Sequence, residues 1–303
     1  MHIGNSLICP VTGIPMLAVA GVAAYYAYKK AKKDFNKDKI LPTVATTALV
    51  FGLQMINFSI PQTGSSGHIV GGLLLATLLS PSVAFLAMCL ILLIQAVFFA
   101  DGGLLALGCN AFNMGILACF VAYPLFYKPL ADKNKPILGA ILASIVALQL
   151  GSLAVVAESA LSGSVALSGL ASFASLMQGI HFPIGLAEGL VTAGILGVAK
   201  NIDMKKLSYG FAGVSLVLAG VISQFASNKP DGLEWSLLNI SDFVVEQTQG
   251  VLFGVSEFVQ QKTSLFANLP YSTGSLLGLL AVVAFMYLVC KNLKRETVKI
   301  DEQ

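Results

Sequence analysis

The chain has 303 residues, of which 56% are hydrophobic and only 11% charged, and its formal net charge is +3. A water-soluble domain averages about 25% charged residues. This composition therefore excludes a soluble globular protein and indicates one that lies in a lipid bilayer. The small net charge does not indicate a protein that binds nucleic acid.

Long apolar stretches of about 20 residues each predict an all-α, polytopic bundle of transmembrane helices. We expect nine spans, of which the third is short and partly re-entrant. The predicted spans are roughly 13–28, 40–58, 68–80, 83–100, 104–127, 136–157, 183–199, 207–226 and 272–290.

The basic residues predict the orientation of this bundle. If the chain crosses the membrane nine times, sixteen of its eighteen Lys and Arg residues lie on one side of the membrane, and only Lys229 and Lys262 lie on the other. By the positive-inside rule the N-terminus lies outside and the C-terminus lies in the cytoplasm. We therefore expect a multi-pass protein of the cytoplasmic (inner) membrane, with lysines 29–39 near anionic lipid heads.

Composition also divides the chain. Residues 1–226 form a block rich in Gly and Ala, which lets membrane helices pack closely. An acidic outside stretch, a last span and a basic tail then make a second, smaller module at 227–303. The five cysteines show no CxxC spacing and are expected to be buried apolar residues.

Two histidines, His2 and His68, fall on the same predicted outer face. The amine of Met1, the backbone nitrogen of His2 and its imidazole can chelate one ion, and His68 can supply a fourth nitrogen. Such a planar nitrogen set suits Ni(II) or Cu(II), whereas Zn(II) prefers a tetrahedron. The hydroxyls of Ser65 and Ser66 could support these ligands.

Four further polar residues stand in apolar surroundings. Asp101 is expected in an outside turn, as a helix cap or as a ligand. Glu188 lies inside the seventh span, where it either packs through a hydrogen bond or couples transport. His181 is expected in an outside loop, as a loop-packing residue or a transient entry ligand, and Glu158 is expected at the interface, where span six ends.

Three stretches of the sequence resemble a known family of membrane proteins. They are Met1-His2-Ile3, residues 57–72 and residues 95–115. Together they resemble the CbiM/NikM family, the metal-binding M component of energy-coupling-factor cobalt/nickel transporters, over about residues 1–226. The resemblance implies that Met1, His2 and His68 bind the metal. It also implies supporting or lining roles for Gln95, Asp101, Asn110 and Asn113.

One departure from that family concerns the residues after His2. The family places an acidic residue there, whereas this chain reads Gly4-Asn5-Ser6. Further on, residues 230–235 match the motif of the small PDGLE domain, which resembles the N component (NikN) of the same systems. The chain thus resembles an M–N fusion of seven plus two spans, in which the N-like part would promote metal loading. Asp231 and Glu234 could equally cap a helix there.

The sequence contains no G-x-x-x-x-G-K-[ST] phosphate loop, so we expect no ATPase or other enzymatic activity of its own and no cofactor. The resemblance implies transported Ni(II) or Co(II), a membrane coupling subunit (CbiQ/NikQ-like) and cytoplasmic ATPase subunits (CbiO/NikO-like). Two alternatives stay open. One is an ion-coupled carrier or channel that uses Glu188 and Asp101 without an ATPase; the other is a non-transporting metal sensor that docks through residues 291–303.

Overall fold

The computed structural model describes residues 2–240, 244 and 250–294, whose regular elements are helices apart from one small hairpin. Met1 and residues 295–303 of the basic tail, which carry two of the predictions above, lie outside the described residues. The helices are α1 (Pro10–Asp34), α2 (Ile40–Gln54), α3 (Gly72–Leu78), α4 (Pro81–Ile94, extended by a π-helical turn Gln95–Phe99), α5 (Leu107–Asn110, continued by a π-helix Ala111–Tyr127 and by Lys128–Ala131), α6 (Pro136–Ser162), α7 (Leu170–Ala199), α8 (Met204–Gly220), α9 (Gly232–Leu238), α10 (Val251–Thr263) and α11 (Tyr271–Leu293). Strands β1 (Phe58–Ser59) and β2 (Ser66–Gly67) pair in antiparallel register, and short 3-10 turns cover Asn5–Leu7, Lys37–Lys39, Leu167–Gly169 and Ile222–Phe225.

Proline and short polar residues fix where several helices begin. Pro10, Pro81 and Pro136 occupy the first turns of α1, α4 and α6, where a missing N–H costs nothing. The side chain of Ser80 accepts a hydrogen bond from the Val83 N–H and so caps α4. These starts agree with the predicted spans to within a few residues.

Six of the described helical segments are long and apolar enough to cross a membrane, which confirms a multi-pass helical membrane protein: α1, α4, α5, α6, α7 with its preceding turn, and α11. Helices α2 and α8, with 15 and 17 residues, are somewhat shorter. Helix α3 has seven residues, which extend only about 10 Å at 1.5 Å per residue. The third predicted span is therefore a short buried helix that follows an extended segment, in keeping with its expected re-entrant character.

The bundle has two distinct ends. A cavity of about 510 Å³ is lined by the end of α1, the start of α2, the α3–α4 junction and Met204 at the start of α8. A second cavity, of about 550 Å³, is lined by Gln54 at the end of α2, Phe99 at the end of α4, and His2 and His68. Helices α2 and α4 each reach from one cavity to the other. The lysine-rich connection between α1 and α2 and the two histidines therefore lie at opposite ends of the bundle.

One predicted boundary is wrong. The seventh span was expected to start at Pro183, and His181 was expected in a loop, but α7 runs without interruption from Leu170 to Ala199. Pro183 lies inside this helix, because a transmembrane helix tolerates an internal proline when its neighbours stabilise it. Helices α6 and α7 pack along most of their length, and His181 lies inside the helix with 1% of its surface exposed.

Glycine allows α1 and α5 to touch backbone to backbone. A Cβ added to Gly108 would lie 2.1 Å from the Leu17 nitrogen, whereas one added to Gly194 on α7 would meet nothing within 4 Å. We therefore expect Gly108→Ala to destabilise the protein by about 1–3 kcal/mol, the usual cost of overpacking. Gly194→Ala should be neutral or slightly stabilising. Thermal unfolding in detergent measures both, and equal melting temperatures would contradict the close approach.

Candidate metal site

The segment that begins at His2 is fixed inside the protein through the backbone of Ile3, which is fully buried. The Ile3 N–H donates to Oδ1 of Asn110 (2.8 Å), and Nδ2 of Asn110 donates to the Ile3 carbonyl (3.1 Å). The N–H of Gly103 donates to the same carbonyl at 2.8 Å. Asn110 thus pairs with Ile3 as a neighbouring strand would, and this pairing sets the position of His2.

Both nitrogens of the His2 ring have partners. Nδ1 lies 3.3 Å from Oδ1 of Asp101, and Nε2 lies 3.1 Å from Oε1 of Gln95. The π-helical turn at the end of α4 carries Gln95, which is fully buried and donates to Oε1 of Gln54 at 2.7 Å. Burial lowers the pKa of the His2 imidazole below its ordinary value of 6.5, although the Asp101 carboxylate opposes this shift. At neutral pH the ring therefore carries a lone pair that can bind a metal.

His68 lies directly against His2. The two rings stack with centroids 5.1 Å apart and an interplanar angle of 17°. His68 is 7% exposed, and its Nε2 is buried without a hydrogen-bond partner among the described residues. A buried nitrogen of this kind costs free energy unless something binds it. It is the atom expected of a metal ligand.

Two side chains hold the segment that follows His68. Gln54 donates to the Val70 carbonyl at 2.7 Å, and the Val70 N–H donates to Oε2 of Glu188 at 2.8 Å. Hydrogen bonds thus run from His2 through Gln95 and Gln54 to the backbone beside His68. Glu188, on α7, therefore makes a packing hydrogen bond, which was one of its two expected roles. Its carboxyl oxygen is the acceptor in this bond, and the Val70 N–H is the donor.

The cavity at the two histidines carries a local negative charge. Among the described residues its lining includes the carboxylates of Asp101, Asp231 and Glu234 and the ammonium group of Lys229. Asp101 lies in the turn between α4 and α5, where it was expected, and its side chain is 42% exposed. An excess of carboxylates at the mouth of a cleft raises the local concentration of cations.

The two serines near His68 contact the second module. The Ser66 N–H donates to the Pro230 carbonyl at 2.8 Å, and Oγ of Ser65 lies 3.4 Å from the same oxygen. Immediately after Pro230, Asp231 accepts a bond from the Glu234 N–H at 2.8 Å and caps α9, as expected. Burial would raise the pKa of Asp231, but this bond and nearby positive charge hold it below its ordinary value. The PDGLE segment is thus a wall of the cavity.

Asn113 and Glu158 lie away from the two histidines. Nδ2 of Asn113 donates to Oε2 of Glu158 at 2.7 Å, and neither residue lines the cavity. Glu158 is 4% exposed near the end of α6, so it packs against α5 rather than facing an interface. The expected support of Asn113 for the ligands stays a prediction, and the contact in the structure is with Glu158.

His181 approaches the site from α7. Its Nδ1–H donates to the Met177 carbonyl at 2.8 Å, which leaves Nε2 as an acceptor on the side of Gly232. A void of about 10 Å³ separates it from His68 and Asp231. This volume is about that of one water probe, so His181 is a neighbour of the site and its role as an entry ligand stays a prediction.

Sequence reasoning missed several residues around His2. Gln54 lies in an apolar span, and a polar residue at such a position is a signal that could have identified it. Asn5 bonds to Glu257 and to Gln260 beside the site, and this contact gave no sequence signal because Asn5 lies more than 250 residues from both partners. All five cysteines are free thiols, buried or half-buried as expected.

The ligand set predicted here is unusual because it uses backbone and terminal nitrogens. Across residues 2–240, 244 and 250–294, no three His, Cys, Asp or Glu side chains are grouped so as to hold a metal ion. A conventional site built from side chains alone is therefore absent from the part of the chain that the structure describes. His2 and His68 are the two stacked imidazoles available there.

Comparison with known proteins gives two family matches. Residues 2–205 match the model described as "CbiM: Cobalt uptake substrate-specific transmembrane region", and residues 205–295 match the PDGLE domain. These matches meet at residue 205, and the module boundary at 226/227 stays a prediction.

Individual relatives agree with these matches. The chain is 28% identical to a protein of Lactiplantibacillus plantarum named "Probable fused nickel transport protein LarMN", over 98% of both chains. It is also 28% identical to the cobalt transport protein CbiM of Sorangium cellulosum, over 66% of this chain and 91% of that protein. A crystal structure of a transition metal transporter aligns with a TM-score of 0.60 at 30% identity, covering 69% of this chain and 99% of that one.

Proposed function

The chain belongs to the CbiM family of cobalt-uptake transmembrane proteins, here fused to a PDGLE domain, and on this premise we propose that it is the substrate-capture subunit of an ATP-driven, energy-coupling-factor importer of Ni(II) or Co(II). The observation that carries the proposal is the stacked pair of His2 and His68, with Nε2 of His68 buried and without a hydrogen-bond partner among the described residues. Relatives named as nickel and cobalt transport proteins support the choice of cargo.

The proposed ligands are the amine of Met1, the backbone nitrogen and imidazole of His2, and the imidazole of His68. Four nitrogens in a plane favour Ni(II) and disfavour Mg(II), which prefers oxygen ligands. In the metal-free protein Nδ1 of His2 lies beside Asp101, so metal capture exchanges this contact for a bond to the ion. Asp101, left at the mouth of the cavity, then faces the bound cation at longer range.

For the membrane arrangement we propose nine spans, of which the seven helices α1–α7 belong to the M-like module and α8 and α11 to the N-like module, so that the modules divide before α8, where the two family matches meet. Helices α2, α3 and α8 would add to the six long segments found. The site then faces outside, and the lysine-rich end of the bundle faces the cytoplasm, where a coupling subunit (CbiQ/NikQ-like) and ATPase subunits (CbiO/NikO-like) would act. The proposed location is the inner membrane.

Removing His68 tests the ligand set. We expect purified protein to bind one Ni(II) per chain with the visible absorption of square-planar nickel. His68→Ala should lose that band and raise the Kd at least about 100-fold, beyond the 10–100-fold typical for a residue that only supports a ligand. Titration followed by absorption measures both quantities.

His181→Ala is the matched control, because His181 is also buried and close to the site. It should change the Kd less than about threefold, and a slower association rate would support its role as an entry ligand. Binding that is indifferent to His68 would contradict the proposed site.

Metal binding should weaken as the pH falls. The lowered pKa of His2 keeps its imidazole neutral at pH 7. Near neutral pH the displaced protons therefore come from the backbone amide and the terminal amine, and imidazole protonation competes only below about pH 6.5. We expect the Kd for Ni(II) to rise at least about tenfold per pH unit between pH 8 and 5, because at least one proton is displaced. A constant Kd over this range would contradict nitrogen ligation.

Uptake in cells distinguishes the importer from its alternatives. We expect accumulation of radioactive Ni(II) only when the chain is expressed with its coupling subunit and an active ATPase, because the chain has no phosphate loop. An ATPase variant unable to hydrolyse ATP is the control. Accumulation by the chain alone would favour a carrier, and binding without accumulation in the full complex would favour a sensor.

A further inference from the structure

Three polar side chains, two carboxamides and one carboxylate, connect the two modules through hydrogen bonds beside the candidate metal site. Asn5, which is 4% exposed, donates from Nδ2 to Oε1 of Glu257 (2.7 Å) and to Oε1 of Gln260. Its Oδ1 accepts from the Leu105 N–H at 2.9 Å. Every polar atom of the Asn5 side chain is therefore engaged, and two of its three partners lie on α10.

Gln260 extends this cluster to the residues that hold His2. Its Nε2 donates to the carbonyls of Ala96 and Gly102, each at 2.9 Å. Ala96 follows Gln95, and Gly102 follows Asp101, so Gln260 is bonded to the chain immediately after both side-chain partners of His2. One side chain of the PDGLE module, 6% exposed, thus joins the N-terminal segment, the π-helical turn of α4 and the turn after it.

The chemistry at position 5 is specific. The carboxamide of Asn5 donates to Glu257 and Gln260 and also accepts from the Leu105 N–H, whereas an ionised carboxylate could only accept. An aspartate would lose the donor and place a second carboxylate against Glu257, and like charges so close destabilise each other. The space is also fixed, since a Cβ added to Gly103 would lie 2.2 Å from Oδ1 of Asn5.

We propose that Asn5, Glu257 and Gln260 form a clamp through which helix α10 holds the N-terminal segment in the conformation that binds metal. They act as positioning residues, and the proposal rests on the function proposed above. Ordering a chain terminus costs conformational entropy. A clamp that orders residues 2–5 before the ion arrives removes that cost from binding and raises affinity without supplying a ligand. It also gives the appended module a direct physical means of promoting metal loading.

A double-mutant cycle tests the clamp. Asn5→Asp should raise the Kd for Ni(II) about tenfold and leave the square-planar absorption band at its wavelength, because the ligands themselves are unchanged. In the double variant Asn5→Asp/Glu257→Gln, the new amide can donate to the new carboxylate while the bond to Gln260 stays lost, so the Kd should recover by about threefold without reaching the wild-type value. A metal ligand would not be rescued in this way. Failure of the rescue, or wild-type affinity of Asn5→Asp, would overturn the proposal.

Gln260→Ala should raise the Kd by a similar factor, and Gln261→Ala is its matched control. Gln261 is the next residue on α10 and is exposed, so its removal should change nothing. Equal effects of the two variants would overturn the clamp. Melting temperatures of the metal-free variants show whether any loss of affinity comes from unfolding.

Hydrogen exchange of the metal-free protein tests the clamp separately from metal binding. Amides of residues 2–8 should exchange about tenfold faster in Asn5→Asp than in wild type, and the double variant should restore part of the protection. If wild-type protein binds no Ni(II) while this pattern holds, the proposed function fails and the clamp stands. If Ni(II) binds and exchange does not respond, the clamp fails and the function stands.

Discussion

The geometry at the two histidines depends on one constraint: the backbone of Ile3 is held by the side chain of Asn110. A chain terminus is ordinarily mobile because few bonds oppose its conformational entropy. Here two hydrogen bonds with Asn110, one donated by each residue, a third from the Gly103 N–H and complete burial of Ile3 fix the residue next to His2. This pairing helps to set the position of the His2 ring relative to His68, on which the proposed four-nitrogen site depends.

The helices that surround this segment depart from α-helical geometry near the site. A π-helical turn ends α4 at Gln95–Phe99, and α5 adopts π-helix from Ala111 onwards, directly after Asn110. Such departures carry an energetic cost and are frequent at functional sites, because they redirect side chains that a regular helix would place elsewhere. In this protein the redirected side chain, Gln95, is the one that bonds to Nε2 of His2.

The PDGLE module forms part of the wall of the cavity at the two histidines. Its helix α9 begins at Asp231 on the wall of the cavity, held by the pairing of Ser66 with Pro230. Its helix α10 reaches the opposite side of the N-terminal segment through Asn5. The carboxylate that the family would place after His2 is thus replaced by an amide, and Glu257 of the second module lies at hydrogen-bond distance from it. A fusion of the two modules in one chain keeps these contacts in fixed stoichiometry.

The sequence by itself determined the class of protein and most of the framework. The apolar run lengths gave a multi-pass helical bundle, because a bilayer admits few other structures, and the histidine, glycine and PDGLE motifs gave the family. His2, His68, Gln95, Asp101 and Asn110 were all named from sequence, and the structure brings them together. Local signals sufficed here since hydrophobicity and short motifs are read within one stretch of chain.

Only the tertiary structure decided the contacts between distant stretches. The continuity of α7 through Pro183 depends on packing against α6, so no local signal could reveal it. The partner of Asn113 is Glu158, and the partners of Asn5 are Glu257 and Gln260. A buried polar side chain must find a hydrogen bond, which predicts that a partner exists. Its identity is set by how the helices pack, and that arrangement is a property of the whole fold.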